Sequence, residues 1–362
     1  MSLKVLHLVG ARPNFMKVAP IMREMSLQPE RFEQTLVHTG QHYDSMMSQV
    51  FFEELELPLP DVNLEVGSGT HAWQTAQVML RFEPVVLDYQ PDWVIVVGDV
   101  NSTLAGALLC SKLGVRVAHV EAGLRSYDRS MPEEINRVLT DQIADLLFTP
   151  SSDGDQNLAR EGVPAERIHM VGNVMIDTLV RLMPKAQARW PALQARFDLD
   201  RFVLVTLHRP SNVDDQGSLE LILSALAEVA RDTPVLFPVH PRTRQRITEF
   251  NLQPLAKRVH LLQPVGYLDF LALQAHSALV LTDSGGIQEE TTFLGVPCLT
   301  ARPNTERPIT ISSGTNQLVP SDRRALAGAM RARLESPPGV NQLPPLWDGR
   351  AAQRITRILS QA

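Results

Sequence analysis

The chain has 362 residues, enough for two domains of ordinary size, and 44% of them are apolar, so sizeable hydrophobic cores can form. Its 34 basic and 40 acidic residues give a formal charge of −6. This balance argues against non-specific binding of nucleic acid, which requires a basic surface.

The composition also indicates a compartment. Cys110 and Cys298 both lie in apolar surroundings, so we expect two small core residues of a reducing compartment and no disulfide. The N-terminal residues run directly into a strand pattern without a signal peptide. Since no apolar run approaches the length of a membrane span, we expect a cytoplasmic protein that does not bind a membrane.

Short apolar runs alternate with longer amphipathic segments along the whole chain. The first half contains the runs Val5–Val9, Thr35–His38, Trp93–Val97, Val115–Val120, Leu146–Phe148 and Ile168–Val171. The second half contains Phe202–Leu207, Val235–Val239, His260–Leu262, Leu279–Thr282 and Pro297–Thr300. Continuous β-branched runs separated by helices predict parallel sheets that are covered on both faces. Two such sets predict an α/β protein with two doubly wound, Rossmann-like domains facing a cleft.

The boundary between the two predicted domains is expected in the segment around Met175–Arg201. This segment is polar, contains Pro184 and Pro191, and precedes a new strand at Phe202. We therefore expect an N-terminal domain over 1–175 and a C-terminal domain over 176–347. By analogy with two-domain folds of this type, the last helix, within 348–362, is expected to pack back on the first domain.

The segment Asp283–Glu290 follows a strand and opens a helix, with Gly285 and Gly286 in the turn. The first backbone N–H groups of a helix favour an anion, and glycine lets a phosphate approach the backbone. Glu290, one turn into the helix, can accept hydrogen bonds from ribose hydroxyls. The segment therefore predicts a nucleotide site, although Ser284 could simply cap the helix.

Polar and titratable residues also follow the other predicted strands, where ligands of open α/β sheets bind. They include Arg12, Gln41, His42, Asp99, Glu121, Arg125, His208, Arg209 and His240. Glu133 and Arg137 lie four residues apart on one face of a predicted helix, which would place an acid and a cation together. The alternative is simple electrostatics at a helix end. The sequence contains neither a metal-ligand motif nor a dinucleotide fingerprint, so we expect no metal and no nicotinamide cofactor.

The order of these motifs resembles a known family. The segments that carry the resemblance are Gly10–Pro20, Thr39–His42, Gly98-Asp99, His119–Arg125, Pro132–Arg137, His208-Arg209, Pro238–His240, Asp283–Glu290 and Thr305–Pro308. From residue 4 to about residue 320 the chain is similar to the non-hydrolysing UDP-N-acetylglucosamine 2-epimerases.

The resemblance implies a glycosyltransferase-B-like fold, a homodimer and a role in the synthesis of cell-surface polysaccharides. It implies reversible interconversion of UDP-GlcNAc and UDP-ManNAc without a cofactor. UDP would leave first, giving 2-acetamidoglucal, and would then add back after the C2 proton has been replaced on the other face.

The resemblance also implies roles for individual residues. The catalytic set would be Asp99, Glu121, Glu133 and His208. The substrate-binding set would be Arg12, Lys17, Arg137, Phe270, Ser284, Gly285, Gly286, Glu290 and Arg307. Within it, Arg12, Lys17, Ser284, Gly285 and Gly286 would bind the diphosphate, Glu290 the ribose and Phe270 the uracil.

Departures from the family pattern leave two questions open. Gln41, His42, Arg209 and His240 would belong to a second, regulatory UDP-GlcNAc pocket, but Trp73 stands where that pattern usually has Arg. Substrates other than UDP-GlcNAc also remain open, such as a UDP-diacetamido uronic acid. A metal-independent UDP-sugar glycosyltransferase and a non-catalytic UDP-sugar sensor are further alternatives, although neither needs three carboxylates.

Overall fold

The computed structural model describes residues 2–40, 56, 59–319, 323–336 and 343–362, without the side chains of residues 12 and 323. The chain divides into two compact units. Unit 1 consists of Met1–Arg181 together with Pro345–Ala362, and unit 2 consists of Leu182–Pro344.

Unit 1 is built on a seven-stranded parallel sheet in the order β3-β2-β1-β4-β5-β6-β7. Its strands are β1 Leu3–Val9, β2 Phe32–His38, β3 Val62–Asn63, β4 Trp93–Val97, β5 Arg116–Val120, β6 Leu146–Thr149 and β7 Ile168–Met170. Its helices are α1 Arg12–Ser26, α2 His71–Tyr89, α3 Asn101–Leu113, α4 Pro132–Ile143 and α5 Ser152–Arg160. A short 3-10 helix, Ala165–Arg167, precedes β7. All five residues of β4 are buried, as expected for the centre of a sheet covered on both faces.

The next helix, α6 Val174–Phe197, is continuous across the point where unit 1 ends and unit 2 begins. Pro184 and Pro191 lie inside it, so the polar segment expected to contain the boundary is helical. The expected boundary at 175/176 lies in the first turn of this helix.

Unit 2 has a six-stranded parallel sheet in the order β10-β9-β8-β11-β12-β13. Its strands are β8 Val203–Thr206, β9 Val235–Pro238, β10 His260–Leu262, β11 Leu279–Thr282, β12 Cys298–Thr300 and β13 Asn316–Leu318. Its remaining helices are α7 Pro210–Val213, α8 Gln216–Val229, α9 Pro241–Glu249, α10 Gln253–Ala256, α11 Tyr267–His276, α12 Gly285–Leu294, α13 Ile309–Ser312 and α14 Arg323–Glu335.

The two parallel sheets confirm the predicted α/β fold class. Every apolar run predicted as a strand coincides with one, whereas the short strands β3 and β13 were not predicted. Cys110 and Cys298 are both buried and carry free thiols, as expected.

The last helix, α15 Ala351–Leu359, belongs to unit 1 and packs against α1. The carboxylate of Asp177 accepts hydrogen bonds from the backbone N–H groups of Ala351 (3.0 Å) and Ala352 (2.7 Å), which satisfies the first turn of α15. Trp347 Nε1 donates to the carbonyl of Pro150 at 2.9 Å, so the segment before α15 is also attached to unit 1.

Candidate active site

In each unit some of the predicted site residues follow strands at the point where the strand order reverses. The reversal lies between β1 and β4 in unit 1 and between β8 and β11 in unit 2. Asp99 follows β4, His208 follows β8 and Asp283 follows β11. Ligands of doubly wound sheets bind in the crevice at such reversals, because the adjoining loops diverge there.

The first contact at the unit 1 reversal is a buried ion pair between Lys17 Nζ, on α1, and Glu121 Oε2, after β5. Gly98 lies directly beside this pair and has a φ of +69°. A Cβ at this position would lie 2.8 Å from Lys17 Nζ, at the end of a flexible side chain, so it is the backbone conformation that favours glycine. Glu121 itself has a φ of 71°, which is unusual for a residue with a side chain and is frequent at functional sites.

A second cation–carboxylate contact joins Arg137, on α4, to Asp99. The Arg137 guanidinium also donates to Glu134 Oε2, from Nε at 3.0 Å and from Nη2 at 2.7 Å. Glu134 further accepts from the backbone N–H groups of Ser126 (3.0 Å) and Tyr127 (2.8 Å). Burial raises the pKa of Glu134, but these backbone donors and Arg137 outweigh it, and the pKa lies below its usual value.

This network defines the partner of Arg137 on α4. Arg137 pairs with Glu134, three residues earlier, and not with Glu133, four residues earlier. Glu133 is half-buried in the first turn of α4, and no hydrogen bond or ion pair to it occurs within the described ranges. Asn136 Nδ2 donates to the carbonyl of Asp99 at 2.9 Å, so α4 holds both the backbone and the side chain of Asp99.

Asn14 is a site residue that sequence reasoning did not assign. Its Oδ1 accepts from the backbone N–H groups of Gly10 (3.1 Å) and Ala11 (2.9 Å), and its Nδ2 donates to the carbonyl of Val97 (3.0 Å). It therefore joins the ends of β1 and β4 at the reversal. Its position two residues after Arg12 in the first loop was the only signal available in the sequence.

The centre of the unit 2 reversal is Asp283, which is fully buried. Its carboxylate accepts from the backbone N–H groups of His208 (3.0 Å) and Arg209 (2.9 Å) and from Asn212 Nδ2 (3.0 Å). His208 Nδ1 lies 3.0 Å from Asp283 Oδ1, while 58% of the His208 side chain is exposed. Burial raises the pKa of Asp283, but the hydrogen bonds and the His208 charge outweigh it, and the pKa lies below its ordinary value.

The N-terminus of α12 lies next to Asp283. Ser284 occupies the position before the helix, and its side chain makes no capping hydrogen bond, so the simple capping role considered for it is wrong. The Arg307 guanidinium lies where a Cβ of Gly285 would be, so a side chain at this position would displace Arg307. Arg307 Nε lies 2.9 Å from Glu289 Oε1, and Arg307 also pairs with Glu306.

Glu290 lies in the second turn of α12 and is fully buried by its neighbours. The hydroxyl of Tyr267 donates to its Oε1 at 2.9 Å. Burial raises the pKa of Glu290 to about 7, against the opposing effect of the Tyr267 hydrogen bond. Phe270 lies on α11 with Tyr267, three residues further along, and is half-buried. Tyr267 was not assigned from the sequence, although this spacing puts it on the same helix face.

The remaining predicted residues divide into two groups. Gln41 and His42 lie outside the described residues, as does the side chain of Arg12, whose backbone begins α1. Arg209 Nε donates to the carbonyl of Asp283 at 3.0 Å, and His240 Nδ1 accepts from the backbone N–H of Arg242 at 3.3 Å. The regulatory pocket assigned to these residues stays a prediction.

Over the described ranges, no cluster of three or more His, Cys, Asp or Glu side chains is arranged to hold a metal ion. No helix in that part of the chain is long and apolar enough to cross a membrane.

The two parallel sheets, with polar residues at their strand ends, define an α/β protein of the doubly wound class. The family model of UDP-N-acetylglucosamine 2-epimerase matches residues 25–360. The chain belongs to this family of epimerases, which are isomerases.

Individual relatives have full-length similarity. The UDP-N-acetylglucosamine 2-epimerase of Methanocaldococcus jannaschii is 43% identical, with 99% of each chain covered. Its crystal structure in complex with UDP-GlcNAc and UDP matches with a TM-score of 0.90 over 99% of this chain and 100% of that one. The UDP-2,3-diacetamido-2,3-dideoxy-D-glucuronate 2-epimerase of Pseudomonas aeruginosa is also 43% identical, over 99% of this chain and 100% of the relative.

A more distant likeness concerns the fold alone. The sucrose-phosphate synthase of Thermosynechococcus elongatus matches with a TM-score of 0.63 at 13% identity, over 99% of this chain and 98% of that one. That glycosyltransferase has the predicted glycosyltransferase-B-like fold.

Proposed function

We propose that the protein catalyses the reversible epimerisation of UDP-N-acetylglucosamine at C2, giving UDP-N-acetylmannosamine. The observation that carries this proposal is the full-length similarity to the M. jannaschii enzyme, whose structure contains UDP-GlcNAc and UDP. The carboxylates and cations at the unit 1 reversal are the groups that this chemistry needs.

The proposed reaction starts with elimination. The C2–H of the sugar is not acidic, because no carbonyl adjoins it, and breaking the C1–O bond first makes this proton removable. UDP leaves with the bonding electrons, a carboxylate accepts the C2 proton, and 2-acetamidoglucal remains. A proton is then returned to C2 on the opposite face and UDP adds back to C1, which restores the starting atoms with inverted C2.

In unit 1, the proposed proton-transfer groups are Asp99, Glu121 and Glu133. Lys17 contacts Glu121 and Arg137 contacts Asp99, so cations lie beside two of the three carboxylates. A cation in such a place can bind the diphosphate that gains charge as the C1–O bond breaks. We assign this role to Lys17 and Arg137, and to Arg12 from its place in the first loop.

In unit 2, the proposed role is to bind UDP. The N-terminus of α12, with Ser284, Gly285 and Gly286, provides backbone donors for the diphosphate. Arg307 adds a cation at this point, Glu290 accepts from the ribose hydroxyls, and Phe270 lies beside the uracil. His208, more than half exposed and paired with Asp283, joins the catalytic set.

A second substrate has specific support. The P. aeruginosa relative, named for a UDP-diacetamido uronate, is as similar to this chain as the M. jannaschii relative, at 43% identity. The alternative function is thus C2 epimerisation of this uronate by the same chemistry.

One experiment tests both substrates. The protein is incubated in D2O with either UDP-GlcNAc or the UDP-diacetamido uronate, without an acceptor, and the sugars are analysed by NMR. We expect C2-deuterated UDP-ManNAc from UDP-GlcNAc. Deuterated product only from the uronate would establish the alternative, and no deuteration of either sugar would rule out C2 epimerisation.

We also propose that the protein forms a homodimer through the outer face of α2. This face carries Trp73, Ala76, Leu80, Pro84 and Leu87, all of them exposed, and Leu80 is 64% exposed. The opposite face of the same helix is buried in the core of unit 1. A continuous apolar stripe at helical spacing is typical of a surface that a second helix covers.

The double change Leu80→Asp and Leu87→Asp places two charges on this stripe. Sedimentation equilibrium should show a dimer for the unchanged protein and a monomer for this variant. Leu27→Asp serves as the control, because Leu27 is similarly exposed but lies just beyond α1. A monomeric unchanged protein, or a variant that remains dimeric, would overturn this interface.

A further inference from the structure

His119 and Asp141 form a fully buried hydrogen-bonded pair in unit 1. The two side chains meet at 2.6 Å, between His119 Nδ1 and Asp141 Oδ1. The other ring nitrogen, Nε2, lies 2.8 Å from the carbonyl oxygen of Gly98. The imidazole is therefore held on both sides by oxygen atoms.

Both groups that face the His119 ring are hydrogen-bond acceptors. A backbone carbonyl only accepts, and an ionised carboxylate only accepts. Burial raises the pKa of Asp141, but the charges and hydrogen bonds of His119 and Arg125 outweigh it, and the pKa lies below its ordinary value. Each ring nitrogen of His119 thus faces an oxygen atom that accepts a hydrogen bond.

Asp141 makes further contacts that join separate elements. Its Oδ2 accepts from the backbone N–H of Gly123 at 3.0 Å and lies 2.7 Å from Arg125 Nη1. Arg125 in turn makes a two-point contact with Glu161, at 2.8 and 2.6 Å. One carboxylate on α4 therefore holds the loop after β5 directly and the loop after β4 through His119.

These are the elements that carry the proposed proton-transfer groups. Gly98 immediately precedes Asp99, Glu121 lies two residues after His119, and Glu133 lies on α4 with Asp141. The pair thus links the backbone positions of all three carboxylates. Misplacement of a reacting group by about 1 Å can lower a rate about a hundredfold, so such a link has catalytic consequences.

We infer that Asp141 and a doubly protonated His119 are positioning residues, which hold Asp99, Glu121 and Glu133 in register for proton transfer. This inference rests on the proposed epimerase function. Both side chains are fully buried, so neither is assigned a contact with the sugar. A purely structural pair would stabilise the fold and leave the turnover of the folded protein unchanged.

The test compares Asp141→Asn, His119→Asn and His119→Gln. An Asn amide can replace only Nδ1, whereas a Gln amide nitrogen reaches the position of Nε2 and keeps the Gly98 contact. We expect kcat to fall about thirtyfold in Asp141→Asn and His119→Asn and clearly less in His119→Gln. KM and the affinity for UDP should stay within about twofold, because Lys17, Arg137 and the proposed UDP-binding residues of unit 2 are all unchanged and keep their own contacts.

The control is Asp177→Asn, another buried carboxylate of unit 1 that accepts two backbone hydrogen bonds. It should lower Tm without lowering kcat. Wild-type kcat in folded Asp141→Asn and His119→Asn proteins would overturn the inference. If Asp141→Asn does not fold, the two His119 variants decide the matter.

A second measurement is independent of activity. In protein labelled with 15N-histidine, the His119 signal is identified by its loss in His119→Asn, and both of its ring nitrogens should carry protons at pH 7.5. A single protonated nitrogen would overturn the charge assigned to the pair. If the unchanged protein shows no epimerase activity, the proposed function is wrong. The NMR measurement still tests whether both ring nitrogens of His119 carry protons.

Discussion

The polar edges of the two units arrange their side chains differently. At the unit 1 reversal, carboxylates and cations contact one another, as Lys17 does with Glu121 and Arg137 with Asp99. At the unit 2 reversal, the Ser284 side chain makes no capping hydrogen bond and His208 is mostly exposed. Burial raises the pKa of Glu290 to about 7. On the proposed function, this difference teaches that the unit 1 edge holds carboxylates beside cations for proton transfer, while the unit 2 edge presents Ser284 and the exposed His208 to a nucleotide.

The largest expected effect tests the role of the first edge. Asp99→Asn and Glu133→Gln should each lower turnover by at least about a hundredfold, the usual contribution of a general acid or base. UDP affinity measured by calorimetry should stay unchanged in Glu133→Gln, because Glu133 acts on the sugar, whereas Asp99→Asn also alters the contact with Arg137, a proposed diphosphate-binding residue. Asp145→Asn is the control, since Asp145 binds the backbone N–H of Val117 at the start of β5, away from the reversal.

If both variants retained near wild-type turnover, the assignment of proton transfer to this edge would be wrong. Loss of UDP affinity without loss of turnover would contradict the proposal that the unit 1 edge transfers protons and the unit 2 edge binds UDP.

A smaller effect is expected from Gly285→Ala at the second edge. The added methyl group overlaps the Arg307 guanidinium and displaces it from the N-terminus of α12. Loss of one charge-assisted contact, about 1.5–3 kcal/mol, should weaken UDP binding about tenfold to a hundredfold in calorimetry. Gly328→Ala provides the control, because a Cβ there meets nothing within 4 Å. An unchanged Kd for Gly285→Ala would show that Arg307 does not serve this site.

The smallest effect concerns pH and Glu290. Its pKa is raised to about 7 by burial, so the carboxyl is mainly protonated at pH 6 and mainly ionised at pH 8. Ribose hydroxyls donate to the ionised form and favour it, so UDP affinity should rise with pH, by up to about tenfold between pH 6 and 8.

Glu290→Gln should remove this rise, and the phosphate groups of UDP, which titrate identically with both proteins, cancel in the comparison. Two superimposable pH profiles would contradict the proposed contact between Glu290 and the ribose.

The sequence was sufficient for the fold class, because continuous runs such as Trp93–Val97 are typical of parallel strands buried on both faces. It was insufficient for β3, which has two residues, and for β13, whose sequence Asn-Gln-Leu is mostly polar. Both are edge strands, where burial imposes little hydrophobic pattern.

The same limit applies to the candidate site. Asp99 and the segment that begins at Asp283 were singled out as candidate site positions because they follow the ends of strands. Asp141 and Asn212 were not, because their contacts join elements far apart in the chain. Helical spacing placed Glu133 and Arg137 on one face, but it did not reveal that the backbone donors of Ser126 and Tyr127 hold Glu134 beside Arg137.

The return of α15 to unit 1 affects the order in which the protein can fold during synthesis. Unit 2 is one continuous stretch, Leu182–Pro344, whereas unit 1 includes the last 18 residues, Pro345–Ala362. Unit 2 therefore emerges from the ribosome in full before the segment that α1 and Asp177 require. The unit that begins first along the chain is thus the last to be completed, and its α1 surface stays uncovered until α15 has emerged.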